Sequence, residues 1–226
     1  MTLFSFEVPL KHLEDFDEDQ DFYFALSFLC RESDEYLYYL EDRVREGCHV
    51  VLDNSYNELN EPDVPEELVR IFNELGADAV VSPDSDKWSF DGLNESYQEM
   101  LSLMPSGKVW VVVRNEEEFH HFRYAARCCS TFYHRPQLPL LNKCTHYLGL
   151  ASLREIQEYE PISCDTSMPI KLALKGRSIE QWVLEGCPHY HTREWPSFFK
   201  MHLTDKQIKL AKENICKLKA LAKIAP

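Results

Sequence analysis

An α/β fold of parallel strands covered by helices is what this 226-residue sequence predicts. Three observations predict it. Apolar, strand-like runs alternate with segments of helical spacing, the order that parallel strands joined by right-handed crossovers require. Runs such as Val50-Val51-Leu52 and Val109-Trp110-Val111-Val112-Val113 are continuously apolar, as buried strands are. Polar residues then follow one strand end after another, at Asp53, Asp84, Arg114-Asn115, Gly149 and Asp165. A (β/α) barrel of the TIM type gathers its site from several strand ends in this way. Six strands are legible. The barrel is therefore expected to be shortened, or to contain strands the pattern does not reveal, and nothing marks a domain boundary within residues 1–226.

The elements follow in order. Phe22 to Cys30 is aromatic and apolar and reads as a strand. Ser33 to Glu46 reads as a helix, with Tyr36, Leu37, Leu40 and Val44 at helical spacing and Ser33 as N-cap. Cys48 to Asp53 is the second strand. Asp63-Val64-Pro65-Glu66-Glu67 predicts a helix start, with Asp63 as cap, an early proline and an acidic first turn. That helix runs to Leu75 and stops at Gly76. Ala77 to Val81 is a strand ending at Ser82-Pro83-Asp84. A helix follows over about 93–103, then a strand from Lys108 to Val113 and a helix from about Glu116 to Cys128. Phe132 to Asn142 contains two prolines and reads as a loop. Cys144 to Leu150 is a strand, Ser152 caps a short helix through Tyr159, and Ile162 to Asp165 is the last strand. Met168 to Lys175 reads as helical and Gly186 to Ser197 as aromatic and irregular. Thr204 to Ala222 is a C-terminal amphipathic helix capped by Thr204, with Ile208, Leu210, Ala211, Ile215, Leu218 and Leu221 as its apolar residues.

Composition bounds the function. Hydrophobic residues are 44% and charged residues 27%, ordinary for a globular chain large enough to bury a core. No apolar run reaches transmembrane length. The start, Met1 to Glu7, lacks a basic region followed by a long apolar run, so no secretory signal is expected and a cytoplasmic location is, in a host cell if need be. The eight cysteines include no Cys-x-x-Cys pair, and several sit in apolar runs as small hydrophobes. The net charge of −14 argues against a general nucleic-acid coat, yet leaves room for one local basic patch. Acids crowd the first half, whereas Lys206 to Lys223 is basic. That basic segment reads equally as a solvated helix face or a phosphate-facing one.

Two aspartates at strand ends are the first candidates for chemistry. Asp165, followed by Thr166 and Ser167, has the setting of a carboxylate nucleophile held by hydroxyls; it could equally cap the helix that follows. Asp53, before Asn54-Ser55-Tyr56-Asn57, suits proton transfer or base recognition, or else simply a turn. A pair of carboxylates around one pocket is the usual equipment for chemistry at a glycosidic carbon. Asp84 could accept from the exocyclic amine and ring N–H of a guanine, or belong to a turn. Cys187, His189 and His191 have conceivable metal spacing, but aromatic packing is the stronger expectation for their loop, so no metal is assigned. His120, His121 and His134 have no sequence-local acid partner, and no Gly-x-Ser-x-Gly elbow occurs. With no glycine-rich phosphate fingerprint after any strand, no nucleotide cofactor is expected.

Four stretches, in order, carry a resemblance: Val51-Leu52-Asp53-Asn54-Ser55, Ala79-Val80-Val81-Ser82-Pro83-Asp84, Leu148-Gly149-Leu150-Ala151-Ser152 and Ile162-Ser163-Cys164-Asp165-Thr166-Ser167. Over about Val50 to Arg177 the chain resembles the tRNA-guanine transglycosylase superfamily, especially its short DNA-directed 7-deazaguanine transglycosylases. The resemblance implies that Asp165 attacks C1′ of a flipped-out guanine nucleotide in DNA and that Asp53 handles protons. It implies that a 7-deazaguanine base then takes the sugar. Asp84, Asn115, Gly149 and Leu150 would bind the base, and Lys171, Lys175 and Arg177 would hold flanking phosphates. The family's zinc site of three close cysteines and a histidine is missing here, which argues against tRNA as substrate. Asn115 stands where the family commonly has glutamine. Two alternatives remain open: a DNA glycosylase that lets water take the sugar, and a catalytically inactive binding protein on the same fold.

Overall fold

The computed structural model describes residues 2–129, 145–150, 153–159, 161–186 and 197–223. In chain order the strands are β1 (Leu3–Phe6), β2 (Tyr23–Leu26), β3 (Val50–Asp53), β4 (Ala79–Val81), β5 (Val109–Val113), β6 (Ala126–Cys129), β7 (His146–Tyr147) and β8 (Ser163–Thr166). The helices are α1 (Ser27–Glu32), α2 (Asp34–Arg45), α3 (Tyr56–Leu59), α4 (Pro65–Leu75), α5 (Phe90–Leu103), α6 (Glu116–His121), α7 (Leu153–Tyr159), α8 (Met168–Leu174), α9 (Ile179–Leu184) and α10 (Asp205–Ala222). The residues group into two compact units, Met1–Asp21 with Leu140–Pro226, and Phe22–Pro139.

In the second unit, β2, β3, β4, β5 and β6 pair in sequence order and every pairing is parallel. β3, β4 and β5 are buried along their whole length. This is why they read as unbroken apolar runs. Their side chains meet Leu68, Ile71, Leu93 and Met100 from α4 and α5 in a core that excludes water almost completely. α2 is capped by the Ser33 side chain, and α4 begins on Pro65 and ends at Gly76, whose φ of 72° permits the left-handed stop.

In the first unit, β8 lies between β1 and β7, parallel to both. The register sets Ser5 opposite Asp165, Phe6 opposite Thr166 and His146 opposite Ser163. α10 packs chiefly on α8. Its buried positions are Ala211, Asn214, Ile215 and Leu218, and Phe16, Trp182 and Phe198 complete the core.

Several expectations change. Phe22 to Cys30 is a strand only to Leu26; Ser27–Glu32 is a helix. A short apolar run that is buried throughout has no period to separate the two. The helix begun at Glu116 stops at His121, and Ala126–Cys129 is a strand in register with Trp110–Val113. β1 is a further strand, so the described residues hold eight where six were legible. Cys144 to Leu150 contributes only His146–Tyr147 as strand before the chain turns at Gly149. Asp63 does not cap α4: the N-cap is Val64, which offers no side-chain hydrogen bond. Ser152, the loop at 132–142 and the cluster Cys187, His189 and His191 lie outside the described residues. Cys30, Cys128, Cys129 and Cys164 are buried, and among the described residues no group of three or more His, Cys, Asp or Glu side chains could hold a metal ion. No described helix is long and apolar enough to cross a membrane.

Candidate active site

Asp165 sits on β8 with its side chain buried. Residues two apart on a strand share a face, so Ser163, Asp165 and Ser167 line one side, and parallel register adds Ser5 and then Glu7 from β1. Asp165 Oδ1 lies 3.0 Å from His146 Nε2 and accepts from Gly149 N at 2.8 Å. An ionised carboxylate can only accept, so Nε2 is the protonated nitrogen, and in the neutral ring Nδ1 faces Ser163 Oγ at 3.0 Å as an acceptor. His146 is wholly buried, which fixes the imidazole and, through it, the carboxylate. Gly149 has φ 61°, a left-handed conformation that aims its N–H at Asp165. Leu150 N in turn donates to the backbone carbonyl of Asp165 at 2.9 Å. Among the described residues Asp165 Oδ2 accepts no hydrogen bond. One oxygen is thus clamped by two N–H groups while the other is left available.

This differs from the sequence expectation in its means. Thr166 and Ser167 do not hold Asp165. Thr166 Oγ1 accepts from Met168 N at 3.1 Å, and the Ser167 hydroxyl acts on Glu7, favouring its ionised form. Nor does Asp165 cap α8; the cap position is Ser167, and no side chain closes it.

Glu7, directly after β1, is the residue that sequence reasoning missed. Part of it still meets solvent. Its carboxyl is pushed up to about 7, first by burial and then by the charge of Asp165, while Lys171 and the Ser167 hydroxyl pull it back. A usable signal was present: Phe4-Ser5-Phe6-Glu7 is another apolar segment delivering an acid at its end.

The basic residues beyond Asp165 have different surroundings. Lys171 works on Glu7 electrostatically, and its Nζ lies 5.4 Å from the Phe198 ring centroid. Arg177 pairs with Glu185 at 2.5 Å, and Lys175 is exposed. Of the three residues expected at phosphates, Lys171 faces an acid and Arg177 is already paired.

In the second unit, Asp53 is buried at the end of β3 and its Oδ2 accepts from Ser55 N at 2.9 Å. That bond holds Ser55 at φ 58°, an uncommon conformation for a residue with a side chain. Below it, Ser55 Oγ accepts from Phe28 N at 3.1 Å, and its own hydroxyl donates to Ser27 Oγ at 2.9 Å. Asp63 completes this network, accepting from Ser27 Oγ at 2.5 Å and from the Arg31 guanidinium. Asp53 is therefore held as a turn carboxylate on a rigid base.

Asp84 is buried after β4. Its Oδ1 accepts from Asn54 Nδ2 at 2.7 Å. Burial pushes its carboxyl up to about 6, against the Asn54 hydrogen bond and the positive Arg114. Arg114, also buried, pairs with Glu118 at 2.7 Å and donates to the Ser85 and Trp88 carbonyls, which pins the Asp84 loop to the end of β5. Beside that loop is a cleft of about 750 Å³ lined by Asp63, Pro83, Ser85, Lys87 and Trp88. Asn115, expected to contact a base, is instead the N-cap of α6: its Oδ1 accepts from Glu118 N at 2.9 Å.

The sequence matches no protein-family model, and no curated protein matches it. Solved structures do. Tryptophan synthase from M. tuberculosis, in an open form with BRD0059 bound, aligns with TM-score 0.54 at 9% identity over 99% of this chain and 93% of that one. Its aminoacrylate- and BRD0059-bound form aligns with TM-score 0.55 at 10% identity over the same shares. N-acetylneuraminate lyase from Fusobacterium nucleatum aligns at 0.49 and 12% identity over 96% of this chain and 98% of that one. At such identities the likeness to tryptophan synthase bears on architecture alone: this chain has the α/β fold of TIM-barrel type.

Proposed function

We propose that the chain is a glycosyl-transfer enzyme that exchanges guanine in DNA for a 7-deazaguanine base through a covalent Asp165–sugar intermediate. The observation that carries the proposal is the posture of Asp165: Oδ1 is clamped by His146 and Gly149, and Oδ2 accepts no hydrogen bond among the described residues. A nucleophile must keep one lone pair unengaged while the rest of the group is held still. In the first step Oδ2 bonds to C1′, the bond from C1′ to the base nitrogen breaks, and guanine leaves with one proton. In the second step the ring nitrogen of the incoming base bonds to C1′, loses its proton, and Asp165 is released. Two displacements at one carbon retain configuration. The substrate class rests on the resemblance. In the same reading Asp84 recognises the base through Oδ2, which accepts no hydrogen bond among the described residues; the proton-handling role of Asp53 rests on the resemblance alone.

The test is incubation of guanine-containing DNA with labelled 7-deazaguanine. Label should enter DNA with wild-type protein, and Asp165→Ala should abolish incorporation. Abasic sites without label would replace exchange by excision. Full biological activity of Asp165→Ala would remove both and leave an inactive binding protein.

A further inference from the structure

We infer that Glu7, on β1, is the acid–base residue that works with Asp165 on β8, so that the carboxylate pair of this site is Glu7 and Asp165. The inference rests on the glycosyl-transfer reading above and reassigns the proton step that the resemblance gives to Asp53.

The geometry comes first. β1 and β8 are parallel neighbours with Ser5 opposite Asp165 and Phe6 opposite Thr166. Glu7 N donates to the Thr166 carbonyl at 3.2 Å, so the pairing continues past the strand end. Alternation then puts the Glu7 side chain on the face that carries Asp165 and Ser167. Lys171 and the Ser167 hydroxyl favour its ionised form, and Asp165 is its strongest charged neighbour. The charged and titratable groups facing this acid are Asp165 from β8, Lys171 from α8 and, behind Asp165, His146 from β7.

The two acids are held differently. Asp165 has two N–H donors on one oxygen and leaves the other to reach a sugar carbon. For Glu7, burial together with the Asp165 charge favours the neutral form up to about pH 7. Environments that separate two carboxyls in this way assign nucleophile and acid. In the first step neutral Glu7 gives its proton to a ring nitrogen of guanine as the bond to C1′ breaks and Asp165 Oδ2 bonds to C1′. In the second step the Glu7 carboxylate takes the ring N–H proton of the incoming base as that nitrogen bonds to C1′. Protons and electrons balance without a further reactant. Lys171 favours the charged form and so limits how far the carboxyl is raised.

Two measurements test this. The first needs no substrate: carbon-13 NMR of the glutamate carboxyls in the whole protein, with Glu7→Gln assigning the signal. Glu7 should titrate near neutrality and shift downward in Asp165→Asn. Titration in the ordinary glutamate range, near 4.5, overturns the inference whatever the substrate proves to be. The second is kinetic. Exchange by the wild type should fall about tenfold per pH unit above neutrality, whereas Glu7→Gln should be roughly 100-fold slower at pH 7 and lose that limb. With DNA carrying 7-methylguanine, a cationic base that departs without protonation, Glu7→Gln should release the base within about threefold of wild type, and Asp165→Ala should release none. Equal loss on both DNAs, or full exchange in Glu7→Gln while Asp53→Asn is inactive, overturns the role of Glu7. If wild-type protein releases neither base, it is the glycosyl-transfer reading that fails, and the titration alone decides whether Glu7 is tuned by Asp165.

Discussion

Asp63 is buried and accepts from two side chains at once, Ser27 Oγ and the Arg31 guanidinium. Ser27 Oγ in turn accepts from the hydroxyl of Ser55, whose N–H holds Asp53, so one carboxylate supports the turn that presents another. Asp63→Ala would leave a buried hydroxyl and a solvent-accessible cation without their acceptor. Groups stranded in this way cost about 1–3 kcal/mol each. Unfolding in urea should show a loss of about 3 kcal/mol; a loss under about 0.5 kcal/mol would mean that solvent replaces the carboxylate at no cost. The motif Asp63-Val64-Pro65-Glu66-Glu67 carries a helix start but not this partnership, because Ser27 and Arg31 are more than thirty positions away. Asp165 was legible for the same reason that its supports were not. A strand that stops at a carboxylate can be seen in one dimension, whereas His146 and Glu7 reach it only through the pairing of β8 with two other strands.

Among the elements, α10 shows how far periodicity reaches. Spacing, the Thr204 cap and the length of the helix were all readable, and the structure adds a capping box in which Thr204 and Gln207 bond reciprocally. What periodicity missed is Asn214, a polar residue on the buried face. Its Oδ1 accepts from Ile179 N at 2.9 Å, and its Nδ2 donates to the Pro169 and Arg177 carbonyls. One amide thus joins α10 to the helices on either side of Arg177, directly after the strand that bears Asp165. Asn214→Ala strips partners from three backbone groups, so a destabilisation of about 3 kcal/mol is expected. Asn214→Asp should be no better, because a carboxylate offers no donor to two carbonyls. A thermal melt of either variant matching wild type would show that the amide is dispensable. β6 was missed for a related reason. Ala126-Arg127-Cys128-Cys129 has no apolar run of its own and becomes a strand through its pairing with Val109–Val113. Arg127 meanwhile folds back over the Phe119 ring, 3.8 Å from its centroid, and donates to the Phe119 carbonyl.

For the molecule as a whole, the net charge of −14 means that each further ionised carboxylate adds to an existing repulsion. Two buried carboxyls, Glu7 in one unit and Asp84 in the other, are raised from 4.5 to about 7 and from 3.8 to about 6. Between the ordinary and the raised value the folded chain binds protons that the unfolded chain has released. Stability therefore falls as pH rises through that window, by up to about 1.4 kcal/mol per pH unit for each group. The contribution is full below the ordinary carboxylate values and gone above about pH 7. Thermal melts at constant ionic strength should show a midpoint that drops from pH 5 to pH 8. Histidines and other groups titrate in the same range, so the decisive quantity is a difference. Glu7→Gln with Asp84→Asn, both permanently neutral, should gain on wild type steadily across the window, ending a few kcal/mol ahead of its relative position at pH 5. A constant gap between variant and wild type would mean that neither carboxyl is raised by its surroundings. The proton-transfer role of Glu7 would then lose its physical basis together with the pH dependence.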